Sequence, residues 1–290
     1  MAPSHASSRK RQVAPAKPAL ERRRVMTREA GTARIITLTT DFGLRDPWVG
    51  VMKGVILGIA PEVRLVDISH DIAPHDVFEA ALALEAAVPF FPAGAVHLAV
   101  VDPGVGSSRR AMIVAAAGQW FVGPDNGVFT PFLDDAGSWR AVELSATWCR
   151  AAEVSQTFHG RDVFAPAAAH VARAAALERF GPELRDPVRL RWPVALRRGG
   201  ALHGEVVHLD RFGNLITSIR ATDLSGDDVV DVSGRELRIV RTYSDLPPGA
   251  TGGLIGSGGR LEISAREQSA ARSLGIGRGA TVTTRRHRET

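Results

Sequence analysis

Five short polar segments of this 290-residue chain hold side chains of the types that do chemistry. Thr39-Thr40-Asp41-Phe42-Gly43 closes a β-branched run. Asp102 to Arg110 places a carboxylate and Arg109 in one loop. Thr157 to Asp162 carries His159, Gly123 to Gly127 holds Asp125 and Asn126, and Asp210-Arg211-Phe212-Gly213-Asn214 lies between two apolar runs. A carboxylate accepts protons or hydrogen bonds, a guanidinium supplies fixed positive charge, and an imidazole exchanges a proton near neutral pH. Each segment also has a plain reading. Asp102-Pro103-Gly104 and Pro124 to Gly127 are strong turn formers, and a lone histidine such as His159 is more often structural than catalytic.

Familiar motifs are missing. Asp41-Phe42-Gly43 has the form of the kinase metal loop, but no glycine-rich loop, lysine strand or His-Arg-Asp loop goes with it. There is no nucleophile elbow, no Walker loop and no Gly-x-Gly-x-x-Gly. His70, His75 and His97 lack metal-ligand spacing. The single cysteine, Cys149, allows neither an internal disulfide nor a cysteine-rich zinc site, which fits a reducing compartment and a cytoplasmic protein. No apolar run approaches the roughly 18 residues that cross a membrane.

The formal charge of +5 is unevenly placed. Residues 1–33 carry +6 and residues 285–290 carry +2, so −3 is left for 34–284. A slightly acidic body with basic ends argues against a nucleic-acid partner.

The elements that must position these residues are legible in outline. Ile35–Thr39 is a strand, and Pro47 to Ile59 has helical period with Asp46 as N-cap and Pro47 in the first turn. Val63–Ile68 is a strand, Asp76 caps a helix that Pro89 stops, and Val96–Val101 is apolar without alternation, as in a strand covered on both faces. Met112–Ala115 and Trp120–Val122 are short strands, and Val163 to Leu177 is an alanine-rich helix. The β–α–β order predicts an α/β fold whose central sheet is mostly parallel. Beyond the basic stretch at Arg191–Gly204, short strands dominate: Glu205–Leu209, Leu215–Ile219, Val229–Val232, Leu237–Val240, Arg260–Ser264 and Ala280–Thr284, with a helix near Gln268–Leu274. The domain reading is a disordered basic leader (1–33), an N-terminal α/β domain (34–191), a smaller C-terminal β-rich domain (200–284) and a basic tail (285–290). Ligands of open α/β sheets bind beyond the carboxyl ends of the strands. The residues alone therefore describe an α/β protein with a polar cleft lined by Asp41, Asp102, Arg109 and His159.

The ordered set of motifs is more specific than any one of them. Thr39 to Gly43, Lys53-Gly54, Val66 to His70, Val101 to Gly106 with Arg109-Arg110, Pro124 to Gly127, Phe158 to Asp162, Asp210 to Asn214 and, more loosely, Gly256-Ser257 and Leu261 to Ile263 together resemble the S-adenosyl-L-methionine hydroxide adenosyltransferases, relatives of the fluorinase and chlorinase enzymes. The resemblance implies a barrel-like C-terminal domain and a homotrimer with sites between subunits. It implies attack of water or hydroxide on ribose C5′ of S-adenosylmethionine, giving adenosine and L-methionine without a cofactor or metal. Its Asp–Arg–His set falls on Asp102, Arg109 and His159. Asp41 matches the ribose clamp, Asp210 and Asn214 the methionine ammonium site, Phe158 and Phe212 apolar walls, and Ser257 a partner of the methionine carboxylate. Arg266 departs from the pattern near the adenine.

The chemistry suits these residue types. Free hydroxide at pH 7 costs about 12 kcal/mol from water of pKa 15.7. Asp102 or His159 can take or orient the proton, and Arg109 can stabilise developing negative charge. The rival readings are a halogenase, against which stand the carboxylate of Asp102 and the short connection from Arg110 to Pro124, and an S-adenosylmethionine or nucleoside binding module without turnover.

Overall fold

The computed structural model describes residues 35–134, 138–225 and 228–286; the expected leader and residues 287–290 lie outside them. The first part reads β1 (Ile35–Thr40), α1 (Trp48–Ile59), β2 (Arg64–Ser69), α2 (Val77–Ala87), β3 (Val96–Val100), β4 (Ala111–Ala116), β5 (Gln119–Pro124), α3 (Thr130–Asp134), β6 (Trp139–Glu143) and α4 (Ala165–Ala172). The second reads β7 (Leu196–Arg198), β8 (Ala201–Leu209), β9 (Leu215–Arg220), β10 (Asp228–Val232), β11 (Arg235–Arg238), β12 (Thr251–Ile255), β13 (Arg260–Ala265), α5 (Ala270–Leu274) and β14 (Thr281–Arg286).

The first sheet has the order β2-β1-β3-β5-β4-β6. β2, β1, β3 and β5 run parallel, and β4 pairs antiparallel with β5 and β6. All five residues of β3 are buried, because α1 and α4 cover one face and α2 and α3 the other. His97 is the polar exception in this core. It lies between Thr37 and Gln119, and burial pushes it down to about pKa 4, so it is a neutral core histidine.

The second sheet runs β11-β10-β14-β8-β9-β13-β12, with β7 beside β8. An isolated bridge from Ile239 to Gly253 brings its two ends together, so the sheet is a nearly closed barrel. The mixed α/β architecture and the barrel-like second domain are those expected from the sequence.

α2 joins the two parts. Glu85 accepts from Arg220 (2.8 Å) and from Arg260 (2.7 Å), Asp76 accepts from Arg278 (2.5 Å), and Phe78 packs on Trp192 at 5.1 Å.

Several local expectations need correction. Asp46 does not cap α1: Pro47 occupies the cap position and no side chain caps the helix. Asp76 does cap α2, accepting from Glu79 N. The helix expected to reach Leu177 stops at Ala172, since Ala174 adopts a left-handed φ of 61°. β6, β7 and β12 are elements that the sequence pattern does not announce. β12 carries Gly252 and Gly253, which look like turn residues, yet a Cβ on Gly252 would stand 2.7 Å from Leu246. β14 runs through Arg285 and Arg286, which pair with Val229 and Asp228.

Candidate active site

The parallel register of β1 and β3 pairs Thr40 with Val100, so both chains leave the sheet side by side. Asp41 follows one strand end and Asp102 the other. The segment 157–160 approaches from the front of α4. Together they enclose a cavity of about 270 Å³ lined by Asp41, Phe42, Asp102, Phe158 and His159, among others. Five of the expected residues therefore meet here once Arg109, which stands behind the wall, is included.

Arg109 joins the other two members of its set. Its Nε donates to both Asp102 oxygens at 2.9 and 3.0 Å, and its Nη2 donates to Asp102 Oδ2 and, at 2.7 Å, to His159 Nδ1. A guanidinium has no acceptor, so Nδ1 of His159 must supply the lone pair. The neutral imidazole then carries its proton on Nε2. Burial and, next, the Arg109 charge hold His159 below its ordinary pKa; Asp102 and Asp162 oppose that shift. Arg109 also lies 5.1 Å from the centre of the Phe164 ring.

The remaining wall is apolar. Phe158 meets Phe42 and Trp48 edge-on at 6.0 and 5.4 Å. Asp41 is braced from behind, one oxygen accepting His75 N at 2.9 Å. His75 has a left-handed φ of 69° and lines the cavity, a residue that sequence reasoning missed. Its only signal is its place between Pro74 and the cap Asp76. Gly106 is a required glycine: at φ +77° a Cβ would lie 2.4 Å from Gln156 O, so the Asp102 loop and the His159 loop touch there.

Asp210, Phe212, Asn214 and Ser257 are not brought to this cavity, whose lining comes from residues 41–160. Asp210 shapes its own loop, accepting from Phe212 N and Asn214 N (both 2.9 Å) and Asn214 Nδ2 (2.8 Å). Phe212 is 77% exposed, whereas Asn214 is buried. Ser257 sits exposed in the β12–β13 turn. Two residues that sequence reasoning missed adjoin this set. Burial, then the Asp210 charge, pushes the Glu262 carboxyl up; burial, Glu262 and Asp210 push the Tyr243 hydroxyl up. Glu262 is visible in the sequence only within the loosely matching Leu261 to Ile263. Arg266 donates to Leu246 O at 3.0 Å and so ties down the 243–246 turn.

No group of three or more His, Cys, Asp or Glu side chains among the described residues is placed to hold a metal ion. No described helix is long and apolar enough to cross a membrane.

Comparisons with known proteins follow the same division of the chain. Residues 36–181 match the model of the SAM hydroxide adenosyltransferase N-terminal domain, and 204–283 match that of the C-terminal domain. An (R)-S-adenosyl-L-methionine hydrolase of Thermus thermophilus is 44% identical over 260 residues, covering 86% of this chain and 98% of that protein. A fluorinase of an Actinoplanes species is 33% identical over 217 residues, covering 66% of this chain and 73% of that protein. A crystal structure of a conserved protein from Thermotoga maritima superposes with a TM-score of 0.80 at 35% identity, covering 87% of this chain and all of that one. The chain belongs to the SAM hydroxide adenosyltransferase family.

Proposed function

We propose that this enzyme hydrolyses S-adenosyl-L-methionine to adenosine and L-methionine, with water or hydroxide attacking ribose C5′. The observation that carries the reading is the Asp102–Arg109–His159 network at the cavity edge, in a chain 44% identical to a protein named for that hydrolysis.

Asp102 is the proton acceptor in this reading. Arg109 uses the Nδ1 lone pair of His159, and Nε2 bears the ring proton, so His159 orients the attacking water as a donor. The Asp102 carboxylate has lone pairs beyond those that Arg109 occupies. Arg109 then stabilises the hydroxide-like oxygen. Attack joins an anion-like nucleophile to a sulfonium cation, so charge is neutralised along the path. The Phe42, Phe158, Val100 and Val105 surfaces favour that step by keeping bulk water out. A carboxylate at 102 repels a halide, which argues for water as the nucleophile.

Asp41 is the ribose clamp, an acceptor-only group facing two hydroxyls. Asp41→Ala is expected to weaken S-adenosylmethionine binding by about 10- to 100-fold, the loss of one or two charge-assisted hydrogen bonds. Calorimetry measures this, and an unchanged dissociation constant removes the clamp role.

The methionine end is completed by Asp210, Asn214, Phe212 and Ser257 of a second copy, in a homotrimer. Their separation from the cavity within one chain and the exposure of Phe212 support this. Light scattering tests it: a fully active monomer rejects it. The protein works in the cytoplasm, a placement supported by its single, buried thiol, Cys149. It needs no cofactor: dialysis against EDTA is expected to leave the rate unchanged, and a loss restored by a divalent cation refutes that.

The deciding experiment for the activity is incubation with S-adenosylmethionine in ¹⁸O-labelled water. Adenosine carrying ¹⁸O together with methionine establishes attack at C5′. Binding without adenosine overturns hydrolysis in favour of a binding module.

A further inference from the structure

His159 sits on a segment with little regular structure, residues 150–159, and its polar side-chain contact among the described residues is Arg109. Asp162, just beyond it, ties that segment through both its carboxylate and its backbone. Directly after His159 the chain makes a wide π-type turn, Gly160–Phe164, before entering α4. Such turns are uncommon and concentrate at functional sites. Asp162, only 3% exposed, lies inside it.

Asp162 ties the segment at both ends. Its backbone oxygen accepts Ala151 N at 2.8 Å, and its Oδ2 accepts Ser155 N at 2.8 Å. Its own N–H reaches Phe158 O at 3.2 Å. Arg161 clamps the same carboxylate, Nε to Oδ1 at 2.6 Å and Nη2 to Oδ2 at 2.9 Å. Arg161 then lies 5.3 Å from the centre of the Phe158 ring, the aromatic wall of the cavity. The brace continues outward: Ser155 Oγ accepts Thr157 N at 3.2 Å, and Gln156 O rests against Gly106 in the Asp102 loop. Asp162 itself lines a separate cavity of about 370 Å³, with Trp148, Arg150 and His170, and does not line the reaction cavity.

The charge matters as well as the tether. The charged groups that act on His159 are Arg109, Asp102, Asp162 and Arg150. Asp162 stabilises the imidazolium, and Arg161 is ion-paired to that same carboxylate.

We propose that Asp162, clamped by Arg161, is a positioning residue of the hydrolysis: it holds the segment that carries His159 at the cavity. This rests on the hydrolase reading of the site. The pair makes opposite-signed predictions. Removing the Asp162 charge lowers the ionisation midpoint of His159, whereas removing Arg161 leaves the Asp162 carboxylate without its ion-pair partner and raises it.

The test uses the full-length protein with ¹³C-labelled histidine, following the His159 ring by NMR through a pH titration, alongside kcat and KM for S-adenosylmethionine. Asp162→Asn is expected to shift the midpoint down and to lower kcat by roughly 10- to 100-fold, the range for a displaced reacting group, with KM within about threefold. Asp162→Glu is expected to restore part of both. Arg161→Gln is expected to move the midpoint up. Midpoints that both variants leave in place, or move in the same direction, overturn the proposal. So does an Asp162→Asn variant whose loss lies in KM with the His159 titration unchanged. Should Asp162→Asn not fold, Arg161→Gln decides alone, since its side chain is 40% exposed. Should the wild type release no adenosine, the hydrolase reading fails while the titration still decides the coupling.

Discussion

Asp102→Asn is expected to lower kcat for S-adenosylmethionine hydrolysis by about 100- to 10,000-fold, the usual contribution of a general base, while the dissociation constant stays within about threefold. That range is about 2.7 to 5.4 kcal/mol of transition-state stabilisation. The amide keeps the volume and one oxygen toward Arg109 Nε, so the loop is retained. What it loses is the charge proposed to accept the proton and the second oxygen that Arg109 Nη2 now contacts. Asp102 also favours the protonated form of His159, so its neutralisation lowers the His159 midpoint further. The distinction from a binding role is therefore sharp: single-turnover rates fall and calorimetric affinity does not. A variant that turns over at the wild-type rate would remove Asp102 from the chemistry. It would also return the proton to His159, despite the occupied Nδ1.

Glu85→Ala is expected to lower the unfolding free energy by about 3 to 5 kcal/mol, the cost of leaving a buried charge without its partner. Arg260 is 7% exposed and points both nitrogens of contact at Glu85 or at Thr217 O, so it has no ready route to water. Arg220, the second partner of Glu85, has a side chain 41% exposed and adds little. Because Glu85 belongs to α2 and both arginines to the barrel, the same change loosens the two domains from each other. Calorimetry should show a lower transition that splits in two. Asp76→Asn, which weakens the more exposed pair with Arg278, is the control and should cost about 1 kcal/mol or less. A Glu85→Ala loss as small as the control would mean that Arg260 finds water and that the interface is held by apolar contacts such as Phe78 on Trp192.

Whatever depends on near neighbours along the chain is already written in the amino-acid order. The β-branched run at Ile35–Thr39, the non-alternating strand at Val96–Val100 and the cap at Asp76 each express a local preference or a period, and each is legible. The ordered motifs also name the chemistry-bearing residues. Elements whose logic is not local are lost. β12 carries glycines where side chains distant in sequence crowd the Cβ position, Leu246 at 2.7 Å from Gly252 and Val230 at 3.1 Å from Gly253. α4 ends where Ala174 turns left-handed, a conformation its composition does not announce.

The wiring of the site, by contrast, comes from the three-dimensional arrangement. Arg109 and His159 are 50 residues apart, and their hydrogen bond exists because the end of β3 and the turn before α4 converge. That bond chooses the tautomer of His159, which residue type leaves open. The distance of Asp210, Asn214 and Ser257 from the cavity, and the hidden brace at Asp162, likewise emerge only on folding. Residue type sets which proton or charge a side chain can offer. Which partner it meets, and in what dielectric, is set by contacts between segments far apart in the chain, and one-dimensional periodicity carries no record of them.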